Sequence, residues 1–163
     1  MEGFNAQLLG KYTIITNSTA PPTTTIWSFV NIYDSTIGEH CVIGSHVEIG
    51  GATIGDHCKI EAYTFIPPGV TIGNHVFIGP GVRFANDKYP NADPVWTRGN
   101  VVVKDHVSIG IGATILPGVE IGERSFIAAG SLVTKNVGPD AFCMGSPAHC
   151  VSKRVFEEVG LHG

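Results

Sequence analysis

Isoleucine and its near relatives return along this chain at a fixed interval. They stand at Ile37, Ile43 and Ile49, then at Ile54, Ile60, Ile66, Ile72 and Ile78, and Phe84 completes the run. A second run holds Val103, Ile109, Ile115, Ile121, Ile127 and Val133. Every step inside the two runs is six residues, except a step of five from Ile49 to Ile54, and Ile26 and Ile32 extend the pattern backwards. Two residues before each aliphatic stands a small or β-branched residue, as at Cys41, Val47, Ala52, Cys58, Thr64 and Val70. The residue after it is most often glycine, as at Gly38, Gly44, Gly55, Gly73 and Gly79. Amphipathic helices repeat near 3.6 residues, so a helix is excluded. Six residues suffice for one short strand and one bend. Three such units close a triangular coil of eighteen residues, in which residues eighteen apart stack and pair in parallel at ~4.8 Å. The stacked aliphatics fill the interior, each contributing about 1.5–3 kcal/mol on burial. The spacing therefore predicts an all-β chain, a parallel β-helix of hexapeptide repeats spanning residues 1–150. After it, Val151, Val155 and Val159 fall at helical spacing between Ser152, a candidate N-cap, and Gly160, a stop. This predicts a short helical tail over 151–163 that caps the open end of the coil.

The period fails once. From Phe84 to Val103 the chain takes nineteen residues where six are expected. The same order of faces resumes afterwards, so residues 85–102 are a loop that leaves one corner. Long loops on rigid scaffolds are where function concentrates. This one reads ANDKYPNADPVWTRGNVV and presents Asn86, Asp87, Lys88, Tyr89, Trp96 and Arg98.

Composition narrows the field. At 163 residues the chain suits a single domain, and a net charge of −4 gives no electrostatic match to nucleic acid or anionic lipid. No apolar run approaches the ~20 residues of a membrane span. The first residues lack a signal-peptide core, which leads to the expectation of a cytoplasmic protein and hence of thiols rather than disulfides at Cys41, Cys58, Cys143 and Cys150. No CxxC pair exists, so a zinc knuckle is not expected. Four of the seven histidines, His40, His57, His75 and His106, share one repeat position, three after an aliphatic. Such a column invites a metal ladder. It equally suits a turn position of positive φ, where histidine is enriched, and that reading is preferred, with no metal expected. Cys41 and Cys58 share the small inward position and are read as core filling.

The last coils read IGIGATILPGVEIGERSFIAAGSLVTKNVGPDAFCMGSPAH, from Ile109 to His149. They resemble the acyl-CoA-binding end of hexapeptide-repeat acyltransferases, and the resemblance spans roughly residues 8 to 150. It implies a left-handed β-helix, although ordinary crossovers are right-handed. It also implies acetyl-CoA as cosubstrate, held along small residues that admit a thin amide-bearing arm. The matching positions are Ala128, Ala129, Gly130, Ser131, Thr134, Lys135, Gly145, Pro147 and Ala148, and the cofactor-binding residues it implies are Gly110, Ala113, Ala128, Ala129, Gly130, Ser131, Lys135, Gly145, Ser146 and Pro147. Lys135 would meet a phosphate of the cofactor as a point charge. Ser146 and His149 depart from the Asn and Arg common in the family.

FANDKYP, Phe84 to Pro90, resembles the loop of bacterial sugar-nucleotide N-acetyltransferases, with Ala85 in place of their Thr. Thr25 to Tyr33 resembles their early coils. The resemblance implies Asn86 and Asp87 as catalytic residues beside the reacting amine. It places Tyr89, Trp96 and Arg98 near the acceptor by position. The implied reaction is acetyl transfer to the amino group of a dTDP- or UDP-linked amino-deoxysugar, for surface polysaccharide or glycan biosynthesis. Hexapeptide O-acetyltransferases carry a histidine just before the loop proline, where this chain has Tyr89. A hydroxyl needs a general base; a neutral amine needs positioning. Two rivals stay open: O-acetylation of a sugar or other small acceptor, and a non-catalytic β-helix serving as a binding or scaffold subunit. By resemblance the assembly is a homotrimer with sites at subunit boundaries.

Overall fold

The computed structural model describes residues 9–92 and 96–152. It is a triangular parallel β-solenoid. Its three faces are sheets of seven, five and eight short strands, and in each face consecutive coils are neighbours. The seven-stranded face runs from Ile14–Thr16 to Leu132–Val133, the five-stranded face from Thr36–Ile37 to Glu120–Ile121, and the eight-stranded face from Thr25–Ile26 to His149–Ser152. The repeated aliphatics form the core. Ile32, Ile43, Ile49, Ile60, Ile66, Ile78, Ile109, Ile115, Ile121 and Ile127 are wholly buried. The small inward residues, among them Cys41, Cys58, Val82 and Ala113, fill the space beside them.

Glycine follows each aliphatic because the coils touch there. A Cβ on Gly55 would stand 2.6 Å from the carbonyl oxygen of Gly73 in the next coil. The first coils are tighter than expected, at seventeen residues rather than eighteen. Ile14 pairs with Asn31, Asn31 with Glu48, and Glu48 with Phe65. Phe65 then pairs with Arg83 and Thr114 with Leu132, eighteen apart. The difference lies at one corner. In the early coils it turns through a single left-handed residue, Asn17, Asp34 or Gly51, at φ 48 to 50°.

We call the corner between the eight- and seven-stranded faces the first, that between the seven- and five-stranded faces the second, and the remaining one the third. The loop leaves the second corner after Phe84. It is shorter than expected, because Val101–Val103 is already strand and pairs with Val70–Ile72. Val101 and Val103 point inward and are buried, so the coil resumes there.

The histidine column occupies the third corner. His40, His57, His75 and His106 have φ of 55 to 59°, as turn residues of positive φ should, and Arg124 follows at 59°. Their rings stack at 4.8 to 4.9 Å. Beside them runs a ladder of side-chain acceptors: Asp56 takes the N–H of Glu39, Asn74 that of Asp56, and Asp105 that of Asn74. Among the described residues no cluster of three or more His, Cys, Asp or Glu is placed to hold a metal.

The end of the coil departs from expectation twice. His149–Ser152 turns back antiparallel on Ala141–Met144, so Val151 and Ser152 are strand; the rest of the expected helical tail lies outside the described residues. That turn brings Cys143 opposite Cys150, with Cα atoms 4.0 Å apart, and the two are disulfide-bonded rather than free. Cys41 and Cys58 remain buried thiols. A side-chain hydrogen bond with Cys41, together with burial, pushes the Cys58 thiol up. No helix among the described residues is long and apolar enough to cross a membrane.

Candidate functional site

The loop is rooted by backbone and amide bonds. Asn86 Nδ2 donates to the carbonyl of Pro68 at 3.1 Å, and the Asn86 carbonyl accepts the N–H of Gly99 at 2.8 Å. Asp87 pairs with Arg98 across an antiparallel bridge, which closes the base of the loop. Asp87 Oδ1 also accepts the N–H of Tyr89 at 2.9 Å, a local turn that projects the tyrosine. Asn86 is thus half-buried and fixed, with no donor to its Oδ1 among the described residues.

Four of the five expected loop residues share one cavity. Asp87, Tyr89, Trp96 and Arg98 line a space of about 460 Å³ together with Lys88. Pro117 and Gly118, from the next coil, form its floor. Asn86 stands at the root rather than in the lining. The cavity therefore combines one carboxylate, two cations and two aromatic rings. Tyr89 and Trp96 remain largely exposed in it, at 75% and 46%.

The expected cofactor residues divide into two groups. Gly110, Ala113, Ala128, Ala129, Gly130 and Ser131 lie at the first corner. Ala113 and Ser131 point into the coil and are buried, so they offer only backbone to a ligand. The Ser131 hydroxyl has no hydrogen-bond partner among the described residues. Lys135 and Pro147 line a separate cavity of about 270 Å³ with Thr134, Asn136 and His149. Gly145 and Ser146 form the turn that places Pro147 there, and Ala148 N–H ties this turn to the carbonyl of Leu132. The disulfide braces the same segment.

The first corner changes character along its length, a feature not read from the sequence. Its left-handed position is held in turn by Tyr12, Phe29, His46 and Tyr63, at φ 59 to 63°, and then by Gly81, Gly112 and Gly130, at 66 to 68°. The four rings stack in succession at 4.9 to 5.3 Å. The backbone angle is nearly the same throughout, so the angle does not demand glycine. A Cβ at Gly81, Gly112 or Gly130 would also meet nothing within 4 Å. These glycines leave a strip of surface bare toward the outside. Ile111 and Ala129 stand next to Gly112 and Gly130 at this corner. Ile111 and Ala129 are exposed there, and among the described residues their N–H groups donate to no protein acceptor. At the third corner the equivalent N–H groups of Glu39, Asp56 and Asn74 are satisfied by the acceptor ladder. The bare strip thus carries two N–H donors with no protein acceptor among the described residues, on an apolar bed, a chemistry that suits an acyl thioester and an amide-bearing chain. The column was legible in principle, since Tyr12, Phe29, His46, Tyr63 and Gly81 recur at seventeen or eighteen, as Gly112 and Gly130 do after the loop, but only once the coil length is known.

Comparison with known proteins agrees with this architecture. The model described as "Bacterial transferase hexapeptide (six repeats)" matches residues 51–86 and 100–135, and that of the "Hexapeptide repeat of succinyl-transferase" matches residues 35–66. Together they cover more than half of the chain. No curated protein matches it by sequence. Among solved structures, a hexapeptide-repeat containing acetyltransferase from Vibrio cholerae, VCA0836, is 28% identical over 89% of this chain and 74% of its own, with a TM-score of 0.51. Perosamine N-acetyltransferase from Caulobacter crescentus, in complex with CoA and GDP-perosamine, is 23% identical over 82% of this chain, with a TM-score of 0.61. AntD, an N-acyltransferase from Bacillus cereus in complex with dTDP and coenzyme A, is 20% identical over 97% of this chain and 96% of its own, with a TM-score of 0.63. The last two likenesses bear on the fold. The chain spans little more than half the length of several of the proteins it matches, 56% of the Caulobacter protein among them.

Proposed function

Because the chain belongs to the hexapeptide-repeat transferase family, we propose that it is an acetyl-CoA-dependent N-acetyltransferase whose acceptor is the amino group of a nucleotide-linked amino sugar. Its products would enter surface polysaccharide or glycan biosynthesis. The observation that carries this reading is the bare strip with two N–H groups that no protein acceptor takes, in the coils beside a loop cavity that holds cations and aromatic rings but no imidazole. Neighbours of this fold solved with coenzyme A and with a nucleotide or nucleotide sugar support the substrate class.

In this reading the strip receives the acyl-bearing arm, and the Ile111 or Ala129 N–H meets the thioester carbonyl oxygen. Donors placed where negative charge gathers stabilise the transition state most. Lys135, beside the 270 Å³ cavity, meets a phosphate at the far end. Asn86 Oδ1, fixed by the bond its amide makes to Pro68, accepts from the acceptor's amine, and Asp87 holds the amine or a sugar hydroxyl. Trp96 and Tyr89 offer faces to the base; Arg98 and Lys88 meet the diphosphate. The amine lone pair attacks the thioester carbon. A C–N bond forms, the C–S bond breaks, coenzyme A leaves as thiolate, and the amine's proton passes to the thiolate or to water. No general base is required of the protein, in keeping with Tyr89 standing where hydroxyl-acylating relatives have histidine.

Within one chain the strip and the loop cavity lie on opposite edges of the seven-stranded face. The strip is at the first corner and the cavity at the second. A threefold axis parallel to the coil keeps each coil at its own level, so it brings one subunit's strip to its neighbour's loop. The site then forms at the boundary of a homotrimer.

An acceptor screen tests the reaction. Acetyl-CoA is supplied with amino-sugar nucleotides and with their hydroxyl counterparts. Turnover on amines is the expected result, and turnover on hydroxyl acceptors alone would sink it. The Asn86→Ala variant should lose about 10²-fold in kcat while its melting curve stays close to the parent's; near-normal turnover would remove Asn86 from the mechanism.

A further inference from the structure

The bare strip has a closed end. Toward the C-terminus it opens at Gly130 and the 270 Å³ cavity beyond. Toward the N-terminus the same corner position is held by Tyr63, one coil before Gly81. Three features make this tyrosine a wall. Its ring is backed at 4.9 Å by His46, with planes 3° apart, and His46 is backed in turn by Phe29 and Tyr12. The ring therefore has no room to fold back along the column. Its φ of 62° pins the backbone in the same turn as its neighbours, so the side chain leaves the corner outward, in line with them. Its other side faces the position of Gly81, where no side chain stands and a Cβ would meet nothing. Tyr63 is 66% exposed, so the stack ends in an open aromatic face at the head of the strip.

The charge pattern orients a chain lying in the strip. Lys135 stands at the C-terminal end, where an anionic terminus would anchor. The loop leaves the coil that contains Gly81, so the reacting end lies toward Tyr63. We propose that Tyr63 sets the length of the acyl group this protein transfers, by stopping the chain beyond the thioester at the head of the strip. This rests on the acyl-transfer reading above. Removing the ring extends the strip by one coil, ~4.8 Å, room for three or four more methylene groups. Short acyl groups end before the ring; longer ones collide with it or leave the strip.

The test is a series of acyl-CoAs from acetyl to octanoyl, together with their non-transferable thioether analogues. Transfer rates and calorimetric affinities are measured for the parent, Tyr63→Ala and Tyr63→Phe. The Ile111 N–H lies two coils from Tyr63, ~9.6 Å, so with the thioester there acetyl and butyryl end short of the ring; for the parent, kcat/KM and thioether affinity are expected to fall about tenfold or more between butyryl and octanoyl, the scale on which a pocket wall rejects added methylenes. In Tyr63→Ala the octanoyl-to-butyryl ratio should rise by about tenfold in both measurements, whereas Tyr63→Phe keeps the parent profile. An unchanged ratio in Tyr63→Ala, with coenzyme A binding retained, would overturn the stop alone. So would a parent that accepts octanoyl as readily as acetyl. A parent that binds no coenzyme A would overturn the acyl-transfer reading and the stop with it.

Discussion

At the scale of single residues, the turns are made by side chains that accept backbone N–H groups from the preceding coil. Asp105 is the clearest. The N–H of Asn74 donates to its Oδ1 at 2.7 Å, and this bond does most to hold its carboxyl below the usual range. The Asn74 side chain and the charges of His106 and His75 act in the same direction, against partial desolvation. A depressed carboxylate adds stability above its unfolded pKa, about 3.9, and loses it as pH falls through the lower folded value. Asp105→Asn keeps an acceptor for the Asn74 N–H but removes the charge. The parent should therefore melt above this variant near neutrality, and the gap should close as the acid limb is crossed; scanning calorimetry from pH 7 to about pH 2.5 reads it directly. A gap that stays constant with pH would show that the charge contributes nothing. Asn86 also ties its turn to the preceding coil, but as a donor, since its amide N–H is committed to the Pro68 carbonyl. Its structural and catalytic roles use different atoms, so both can hold.

At the scale of elements, the first corner is one column with two uses. Its early coils are filled by stacked rings and its late coils are left bare, at nearly one φ throughout. Bulky residues evidently fit this turn, so Gly112→Tyr should cost only about 1–2 kcal/mol, the penalty of the left-handed region. It should nevertheless raise the Kd for coenzyme A by about 100-fold, because the ring fills the bed where the arm lies. Calorimetric binding alongside a melting curve separates the two effects, and parent-like affinity in the folded variant would remove the strip from the cofactor site. The C-terminal hairpin is the other element that matters here. Its turn carries Gly145, Ser146 and Pro147 beside Lys135, and the Cys143–Cys150 disulfide fastens it.

At the scale of the molecule, the strip and the loop cavity belong to different corners of one chain. If the site joins two subunits, two inactive variants should complement each other. Gly112→Tyr chains supply intact loops and Asn86→Ala chains supply intact strips. Unfolded together and reassembled in equal amounts, they should recover up to about a quarter of parent activity, the share of boundaries at which both halves are intact. Each variant refolded alone, at subsaturating acetyl-CoA, should stay near a hundredth of parent activity, and a mixture that stays at that level would place the whole site within one chain.

The period of six was enough to specify the solenoid, its inward aliphatics, the corner from which the loop departs and the turn conformation of His40, His57, His75 and His106. These follow from local spacing, because in a solenoid each coil packs only on its neighbours. The candidate site was legible as residue types, Asn86 to Arg98 and Gly110 to Pro147, but not as a place. The step of five before Ile54 was visible, but only the folded chain shows that the same short corner recurs at Asn17, Asp34 and Gly51, and so which residues stack. It also shows that Ala113 and Ser131 face inward, and that Cys143 meets Cys150 once the chain turns back after Met144. It further reveals that a ladder of rings ends at Tyr63, where the bare strip begins. Each of these depends on which residues one coil lays over the next. That register is set by corner lengths and packing across seventeen or more residues, which no local period records.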